Sequence, residues 1–284
     1  MTIFPIMSSG TLYVVATPIG NLADLSHRAE TVLREVPVVA AEDTRRVRVL
    51  LDHIGAHPKV LSFHAHSPER RQELLLEILA EGRDVALVSD AGTPGVSDPG
   101  ERLVQAVRRA GFGVVPIPGP SAVTAALSGS GLSADRYLFL GFLPRKGRER
   151  ERLLEMVADA PWSVVLYEAP GRLAELLDDL ARAVPGERDA VVVRELTKLH
   201  EEFKAGSVGE LAAYYRAQEP RGEITIVVAG RGELTSPQTS AADVAHRAAA
   251  LLAEGLTRKA AIQRLIADLG VSRNEAYRIV TSLP

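Results

Sequence analysis

Val85-Ala86-Leu87-Val88-Ser89-Asp90-Ala91-Gly92-Thr93-Pro94-Gly95-Val96-Ser97-Asp98-Pro99-Gly100 is an apolar run that leads into a turn with two aspartates. The apolar residues, followed by turn formers, predict a short buried strand. In open α/β sheets, ligands bind at the carboxyl ends of the strands. The turn is therefore a candidate ligand site, where carboxylates accept hydrogen bonds and glycines let a ligand reach the backbone. The alternative is a rigid surface loop whose aspartates cap backbone amides.

Composition limits the class of protein. The 284 residues, 46% of them hydrophobic, predict two domains with sizeable cores. The net charge of -3 does not indicate a nucleic-acid coat or a membrane-surface protein, so a polyanion would be bound by a local patch. The chain has no cysteine, which excludes disulfides, thiolate metal sites and cysteine nucleophiles. The absence of cysteine favours a reducing cytoplasm, and residues 1–10 show no secretory-signal pattern, so we expect a cytoplasmic protein.

Short β-like runs alternate with helical stretches from Thr11 onward, which predicts an α/β fold with a mainly parallel sheet. The first predicted strands are Leu12–Ala16, Val36–Ala41, Val60–Phe63, Val85–Ser89 and Val114–Ile117. The predicted helices between them are Ser26–Arg34, Thr44–Ile54, Pro68–Glu81 and Gly100–Ala110. A proline-rich segment, Pro116–Pro120, then interrupts regular structure. We therefore expect two α/β domains, residues 11–118 and 119–231.

The second α/β domain is followed by a helical tail. Its predicted strands are Tyr137–Phe142, Ser163–Tyr167, Ala190–Arg194 and Ile224–Ala229, and its predicted helices are Ser121–Ser128, Arg148–Ala158, Arg172–Ala183 and Val208–Ala217. The tail, residues 240–284, comprises the predicted helices Ala241–Glu254, Thr257–Leu269 and Ser272–Ser282, with caps at Gly255, Thr257, Gly270 and Ser272. The spacing is that of a helix-turn-helix. Its cations Arg258, Lys259, Arg264, Arg273 and Arg278 suit an RNA contact; the alternative is a purely structural cap.

Several motifs in a fixed order resemble one protein family. They are Tyr13–Leu25, Ala41–Arg45, Ser62–His66, Leu87–Gly100, Pro118–Ala122, Gly141–Lys146 and Arg194–Lys198. From about Thr11 to Ala229 the chain resembles the ribosomal RNA small-subunit methyltransferase I branch of the tetrapyrrole methylase superfamily. The resemblance implies a two-domain, S-adenosylmethionine-dependent homodimer with its cofactor cleft between the domains. It also implies methylation of the ribose 2′-hydroxyl of a cytidine in the decoding region of 16S rRNA, as naked rRNA or as the 30S subunit.

The resemblance also implies the cofactor contacts. They are Pro18, Asp90, Ala91, Gly92, Thr93, Ser121, Ala122, Tyr167, Glu168, and Ile224 or Thr225. The first loop, Thr17–Leu22, has one glycine and a stiff proline, so it lacks the glycine-rich cradle that binds a diphosphate. S-adenosylmethionine has no phosphate and is compatible with such a loop. Its methyl group is already activated, so the protein mainly has to position the reactants.

A ribose hydroxyl is a weak nucleophile, so we expect a positioned base or a cation that lowers its pKa. The candidates are Asp43, His64, Glu168, Glu195 and Lys198, which the sequence does not rank. Asp43 could instead cap the helix that begins at Thr44, and Glu195 and Lys198 could simply pair with each other. His64 and His66 share one face of an extended segment, but the sequence offers no third ligand, so no metal is expected.

RNA contact is expected at the basic loop Pro144–Arg152. The cations assigned to RNA are Arg45, Arg145, Lys146, Arg148 and Arg150, and the aromatics that could stack on bases are Phe63, Phe142 and Tyr167. The alternative for the loop is a solvated helix start, because Glu149 and Glu151 dilute its charge.

Asp98 and the overall activity each have competing interpretations. Pro99 follows Asp98, so we expect Asp98 to cap the next helix rather than take part in catalysis. Two other functions compete with rRNA methylation: a porphyrinoid or protein side-chain methylase of the same superfamily, and a non-enzymatic RNA-binding factor of ribosome assembly. The basic loop and Ala41–Arg45 favour RNA over a porphyrinoid.

Overall fold

The computed structural model describes residues 9–184, 187–231, 241–269 and 273–282. The chain forms two compact units, residues 1–230 and 231–284. The larger unit holds both sheets, and the smaller holds the helical tail. The predicted boundary near residue 118 lies inside the larger unit and stays a prediction.

A five-stranded parallel sheet forms the first half of the larger unit. Its strands are β1 (Thr11–Val15), β2 (Val38–Ala41), β3 (Lys59–Ser62), β4 (Val85–Val88) and β5 (Gly113–Ile117), in the order β3-β2-β4-β1-β5. Helices α1 (His27–Glu35), α2 (Thr44–Ile54), α3 (Glu69–Ala80) and α4 (Glu101–Arg109) connect them, with a 3₁₀ turn at Leu22–Asp24. Strands β2 and β4 are buried on both faces, as a sheet covered by helices requires.

Sequence signals set the ends of these helices. Ser26 caps α1, because its hydroxyl accepts a hydrogen bond from the Ala29 amide at 3.1 Å. Gly55 ends α2 in the left-handed conformation, with φ of +66°. The predicted strands and helices of this half are confirmed within one or two residues of their ends.

The second half of the larger unit is built on a mixed sheet. Its strands are β6 (Tyr137–Phe142), β7 (Ser163–Glu168), β8 (Asp189–Arg194), β9 (Glu202–Ser207) and β10 (Ile224–Val228), in the order β6-β7-β10-β8-β9. Helices α5 (Ala122–Ser130), α6 (Arg148–Asp159), α7 (Leu173–Ala183) and α8 (Val208–Ala217) accompany them, with a 3₁₀ turn at Pro170–Arg172. Only β6 and β7 pair in parallel, so the expectation of a mainly parallel sheet is wrong for this half.

Two features of this half differ from the prediction. The edge strand β9 was missed, because Glu202-Phe203-Lys204-Ala205-Gly206-Ser207 is too polar to read as a strand. Ser121 precedes α5 as predicted, but its hydroxyl makes no capping bond and the residue instead lines a cavity.

The smaller unit contains helices α9 (Ala241–Ala253), α10 (Arg258–Leu269) and α11 (Arg273–Ser282). They share an apolar core that includes Val244, Leu251, Leu265 and Val280. Thr257 caps α10, since its hydroxyl accepts from the Ala260 amide at 3.3 Å. The predicted caps Gly270 and Ser272 lie outside the described residues. Within the described ranges, no helix has the length and apolarity to cross a membrane.

Candidate active site

The loops that follow β1 and β4 are fastened to each other. These strands are neighbours, and beyond them the backbones of Thr17 and Gly92 exchange hydrogen bonds of 2.8 and 3.0 Å. The buried Thr17 hydroxyl adds a bond of 3.3 Å to the Ser89 carbonyl. Gly92 has φ of +76°, a conformation that favours glycine. The turn that follows the buried strand is therefore held at the carboxyl edge of the parallel sheet.

A cavity of about 320 Å³ lies between this turn and the mixed sheet. The first half contributes Ile19, Ala91, Gly92, Thr93, Val96, Ser97 and Asp98, and the segment before α5 contributes Ser121 and Ala122. The second half contributes Phe142, Tyr167, Glu168, Ala169, Pro170, Val193, Leu196 and the run Gly222–Thr225. Both halves belong to the larger unit. The volume is in the range of small-molecule sites. We call this the cofactor cavity, after the S-adenosylmethionine contacts that the family resemblance implies for its walls.

Most of the residues assigned to the cofactor line this cavity, but Pro18 and Asp90 do not. They face a separate cavity of about 100 Å³ beside α2. The Asp90 carboxylate accepts a hydrogen bond from the Asp43 amide at 3.0 Å and lies 3.5 Å from the Arg46 guanidinium. In this structure Asp90 therefore ties the end of β4 to the start of α2.

Wall residues of the second sheet were largely missed from the sequence. Val193 and Leu196 lie at and beyond the end of β8, and Gly222 and Glu223 precede β10. Their edge of the sheet becomes clear only once the antiparallel pairing of β8 and β10 is known. The sequence indicated which residues lie near strand ends, but it did not indicate the direction in which each strand runs.

Tyr167 forms the aromatic part of the cavity wall. Its ring packs edge to face on Phe139, with 5.0 Å between centroids, and lies 5.5 Å from Phe142. Burial, with the negative Asp98 nearby, raises the pKa of Tyr167 to about 12. The hydroxyl therefore stays protonated at neutral pH. Phe142 is 56% exposed at the same wall, whereas Phe63 is buried in the first sheet's core.

Glu168 has the wrong orientation for a catalytic base. Successive side chains on a strand point to opposite faces, so Glu168 shares the helix-covered face of Leu166 while Tyr167 faces the cavity. Its carboxylate is completely buried, accepts from the Ala169 amide at 2.8 Å and lies 3.2 Å from Arg172. Burial raises its pKa, against the opposing effects of the Ala169 hydrogen bond and Arg172. Glu168 can contribute only its backbone to the cavity.

Glu195 and Lys198 pair, as the simpler interpretation expected. The Glu195 carboxylate accepts from Lys198 Nζ at 2.8 Å and from the Glu223 amide at 2.9 Å, and Lys198 also reaches Glu223 Oε2 at 3.1 Å. The hydrogen bond from Lys198 lowers the pKa of Glu195. Burial alone would lower the pKa of Lys198, but bonds to both glutamates outweigh it and raise the pKa. Both groups are therefore held in their charged forms.

The Lys198 side chain also covers the first loop. A Cβ added to Gly20 would lie 2.6 Å from Lys198 Cγ. The ion-paired turn that contains Lys198 consequently packs against the loop that follows β1.

Asp43 caps α2, as its structural interpretation predicted. Its carboxylate accepts from the Arg45 amide at 2.8 Å and lies 2.7 Å from the exposed Arg45 guanidinium. These hydrogen bonds hold the pKa of Asp43 well below its usual range. A carboxylate so strongly stabilised in its charged form is a poor proton acceptor.

His64 and His66 form a local turn. His64 Nδ1 accepts from the His66 amide at 3.2 Å, and both residues are exposed. Across the described residues, no group of three or more His, Asp or Glu side chains is arranged to hold a metal. His64 also lines a third cavity.

Asp98 does not cap a helix. Helix α4 begins at Glu101, and Gly100 occupies the position before it with φ of +151°. Asp98 is half-buried in the wall of the cofactor cavity instead. Burial raises its pKa; a hydrogen bond with Ser89 opposes this, and the charge of Asp90 adds to it. The expectation that Asp98 caps the helix is therefore wrong, because Pro99 and Gly100 still belong to the turn and separate Asp98 from Glu101, the first residue of the helix.

The basic loop divides into exposed and buried cations. Arg145, Lys146 and Arg148 are exposed. Arg150 is buried: two of its nitrogens bond Asp179 at 2.8 and 2.5 Å, and a third bonds the Pro144 carbonyl at 3.0 Å. Arg150 therefore anchors α6, and its buried guanidinium is not available to contact RNA.

Comparison with known proteins identifies the family. Residues 11–212 match the family described as Tetrapyrrole (Corrin/Porphyrin) Methylases. A uroporphyrin-III C-methyltransferase from Thermus thermophilus, solved in complex with S-adenosylhomocysteine, covers 78% of this chain and 98% of its own, with TM-score 0.56 and 21% identity. The fold and the match show that the chain belongs to the tetrapyrrole methylase family.

Similarity to individual proteins assigns the chain to one branch of the tetrapyrrole methylase family. A ribosomal RNA small subunit methyltransferase I of Synechocystis is 43% identical over 96% of this chain and 98% of its own. One of Micromonospora olivasterospora is 46% identical over 97% and 84%. Within the family, the chain belongs with the ribosomal RNA small subunit methyltransferases I.

Proposed function

We propose that this protein transfers a methyl group from S-adenosylmethionine to the ribose 2′-hydroxyl of a cytidine in the decoding region of 16S rRNA. The observation that carries the proposal is the cofactor cavity at the carboxyl edge of the parallel sheet, in a chain similar along nearly its whole length to proteins named as rRNA methyltransferases.

The cavity residues fit S-adenosylmethionine. Ile19, Val193 and Leu196 offer an apolar surface to the adenine ring. Thr93, Ser121 and Thr225 offer hydroxyls to the ribose and the amino-acid part. The Ser121 hydroxyl is not engaged in capping α5, so it remains available to a ligand. When bound, the cofactor supplies an activated methyl group on a sulfonium, and the protein has to position it and exclude water.

Cations around the larger unit support an RNA substrate. Arg145, Lys146 and Arg148 are exposed in the basic loop, and Arg45 is exposed at the start of α2. Arginine binds phosphate through two parallel hydrogen bonds, and lysine does so as a point charge. The exposed face of Phe142 offers a surface on which an unpaired base can stack. As the family resemblance implies, we expect a homodimer that acts in the cytoplasm, where its ribosomal substrate is found.

The test is to incubate the protein and methyl-labelled S-adenosylmethionine with naked 16S rRNA, 30S particles and uroporphyrinogen III. We expect label in the rRNA or 30S sample, on one ribose, where the nucleotide becomes resistant to alkaline cleavage because its 2′-oxygen is blocked. Label on a base carbon or on the tetrapyrrole would refute the proposal. Absence of cofactor binding in calorimetry would leave only the non-enzymatic RNA-binding function.

A further inference from the structure

A third cavity adjoins the candidate active site. It has a volume of about 190 Å³ and is lined by Phe63, His64, Ala65, Ser67, Gln72, Asp98, Pro99, Gly100, Glu101 and Arg102. We call it the His64 cavity. Of the residues that the structure describes, Asp98 alone lines both this cavity and the cofactor cavity. Asp98 therefore lies where the two cavities meet.

The backbone around Asp98 is constrained. Ser97 has φ of +58°, a conformation that side-chain-bearing residues seldom adopt. Gly100 has φ of +151°, and a Cβ there would lie 3.2 Å from Leu87 Cδ2. On the other side, a Cβ on Gly141 would lie 2.6 Å from the Ser97 hydroxyl. Strain of this kind persists only where the surroundings enforce it, and it occurs often at functional sites.

Several ionisable groups lie near Asp98. Asp90 and Glu42 lie on the acidic side, and the pKa of Glu42 is raised by burial and by both aspartates. His64, Glu101 and Arg102 line the His64 cavity with it, and Tyr167 lies in the cofactor cavity. A half-buried carboxylate beside other carboxylates holds a proton more readily than an exposed one, which suits a general base.

We propose that Asp98 is the general base and that the His64 cavity holds the acceptor nucleotide. This inference rests on the proposed function. The ribose 2′-oxygen forms a bond to the methyl carbon while the carbon–sulfur bond breaks and its electron pair stays on sulfur. The hydroxyl proton passes to the Asp98 carboxylate, and the products are the methyl ether and neutral S-adenosylhomocysteine. His64, Gln72 and Arg102 offer hydrogen-bond donors to the nucleotide.

The central test is single-turnover methyl transfer to the rRNA substrate by Asp98→Asn. We expect the rate to fall about 100-fold or more, the usual contribution of a general base. Affinities for S-adenosylmethionine and RNA should stay within about threefold of wild type, since only a proton acceptor is lost. Asp98→Glu should recover part of the rate, and Asp52→Asn, on the exposed face of α2, is the matched control.

The pH profile separates a base from a merely structural residue. The wild-type rate should rise with pH as Asp98 loses its proton and then reach a plateau, and Asp98→Asn should lose that rise. Ala65→Trp fills the His64 cavity and should raise KM for RNA about tenfold or more with cofactor affinity unchanged. This variant also tests the site if Asp98→Asn does not fold.

Each part of the proposal has its own contradicting outcome. Asp98→Asn that keeps more than about a third of the wild-type rate overturns the inference, as does a loss of cofactor affinity equal to the loss of rate. An unchanged KM for RNA in Ala65→Trp overturns the assignment of the His64 cavity. Failure of the wild-type protein to methylate RNA overturns the proposed function itself, whereas activity in wild type and Asp98→Asn alike overturns only the present inference.

Discussion

Replacement of Arg150 by alanine should destabilise the protein without changing the electrostatics of RNA binding. The Arg150 side chain is 8% exposed and that of Asp179 is 16% exposed, so the pair is largely removed from water. Breaking such a pair costs about 3–5 kcal/mol, because the remaining charge stays buried. Arg182 remains as a second, exposed partner for Asp179, so we expect the lower end, about 3 kcal/mol.

Thermal unfolding should show this loss directly. For a unit of this size each kcal/mol shifts Tm by about 2–4 °C, so Arg150→Ala should unfold about 6–12 °C below wild type. Arg148→Ala is the control, because Arg148 is the exposed first residue of the same helix, and it should shift Tm by less than about 2 °C. The reasoning is refuted if Arg150→Ala unfolds like wild type and instead lowers the salt dependence of RNA binding.

Three further perturbations test the site. Gly92→Val places a β-branched residue at φ of +76° and should weaken S-adenosylmethionine binding about tenfold or more in calorimetry; unchanged affinity would mean that the turn does not contact the cofactor. Lys198→Met leaves Glu195 without its main partner and should cost about 1 kcal/mol at pH 7 in urea unfolding. The pKa of Glu195 is lowered in the folded state, so its ion pair stabilises the protein above the ordinary pKa of glutamate, and this stability is lost as the pH falls through the folded-state pKa. The difference in the free energy of unfolding between wild type and Lys198→Met should therefore shrink in acid. A constant difference would contradict the pairing. Lys146→Ala with Arg148→Ala should reduce the slope of log affinity against log salt by about 1.4, with the largest deficit at low salt; an unchanged slope would remove the loop from the RNA interface.

Local signals in the sequence predicted most of the fold. The predicted helix Thr44–Ile54, with Asp43 as the alternative cap at its start, has the same bounds in the structure. Strand β9 was missed, since an exposed edge strand needs no continuous apolar run. The predicted direction of the strands in the second sheet was also wrong, because β7, β8 and β10 are continuous apolar runs of the kind typical of parallel sheets, although they pair antiparallel.

The site was less accessible to sequence reasoning. Glu168 and Arg150 looked functional by residue type, and only their burial and partners show them to be structural. Asp98 looked structural because proline often begins a helix, and only the extra turn before Glu101 shows that it faces the cavity. Side-chain direction decides all three, and it depends on contacts between segments far apart in the chain.

The cofactor cavity draws its walls from both sheets, with contributors as distant in sequence as Ile19 and Thr225. The cavity exists only when both halves of the larger unit are folded. A ligand that binds there therefore stabilises the folded chain against unfolding by mass action. At a concentration of 100 times its Kd the ligand adds about 2.7 kcal/mol. The cofactor would therefore stabilise both sheets together against unfolding, in addition to supplying the methyl group.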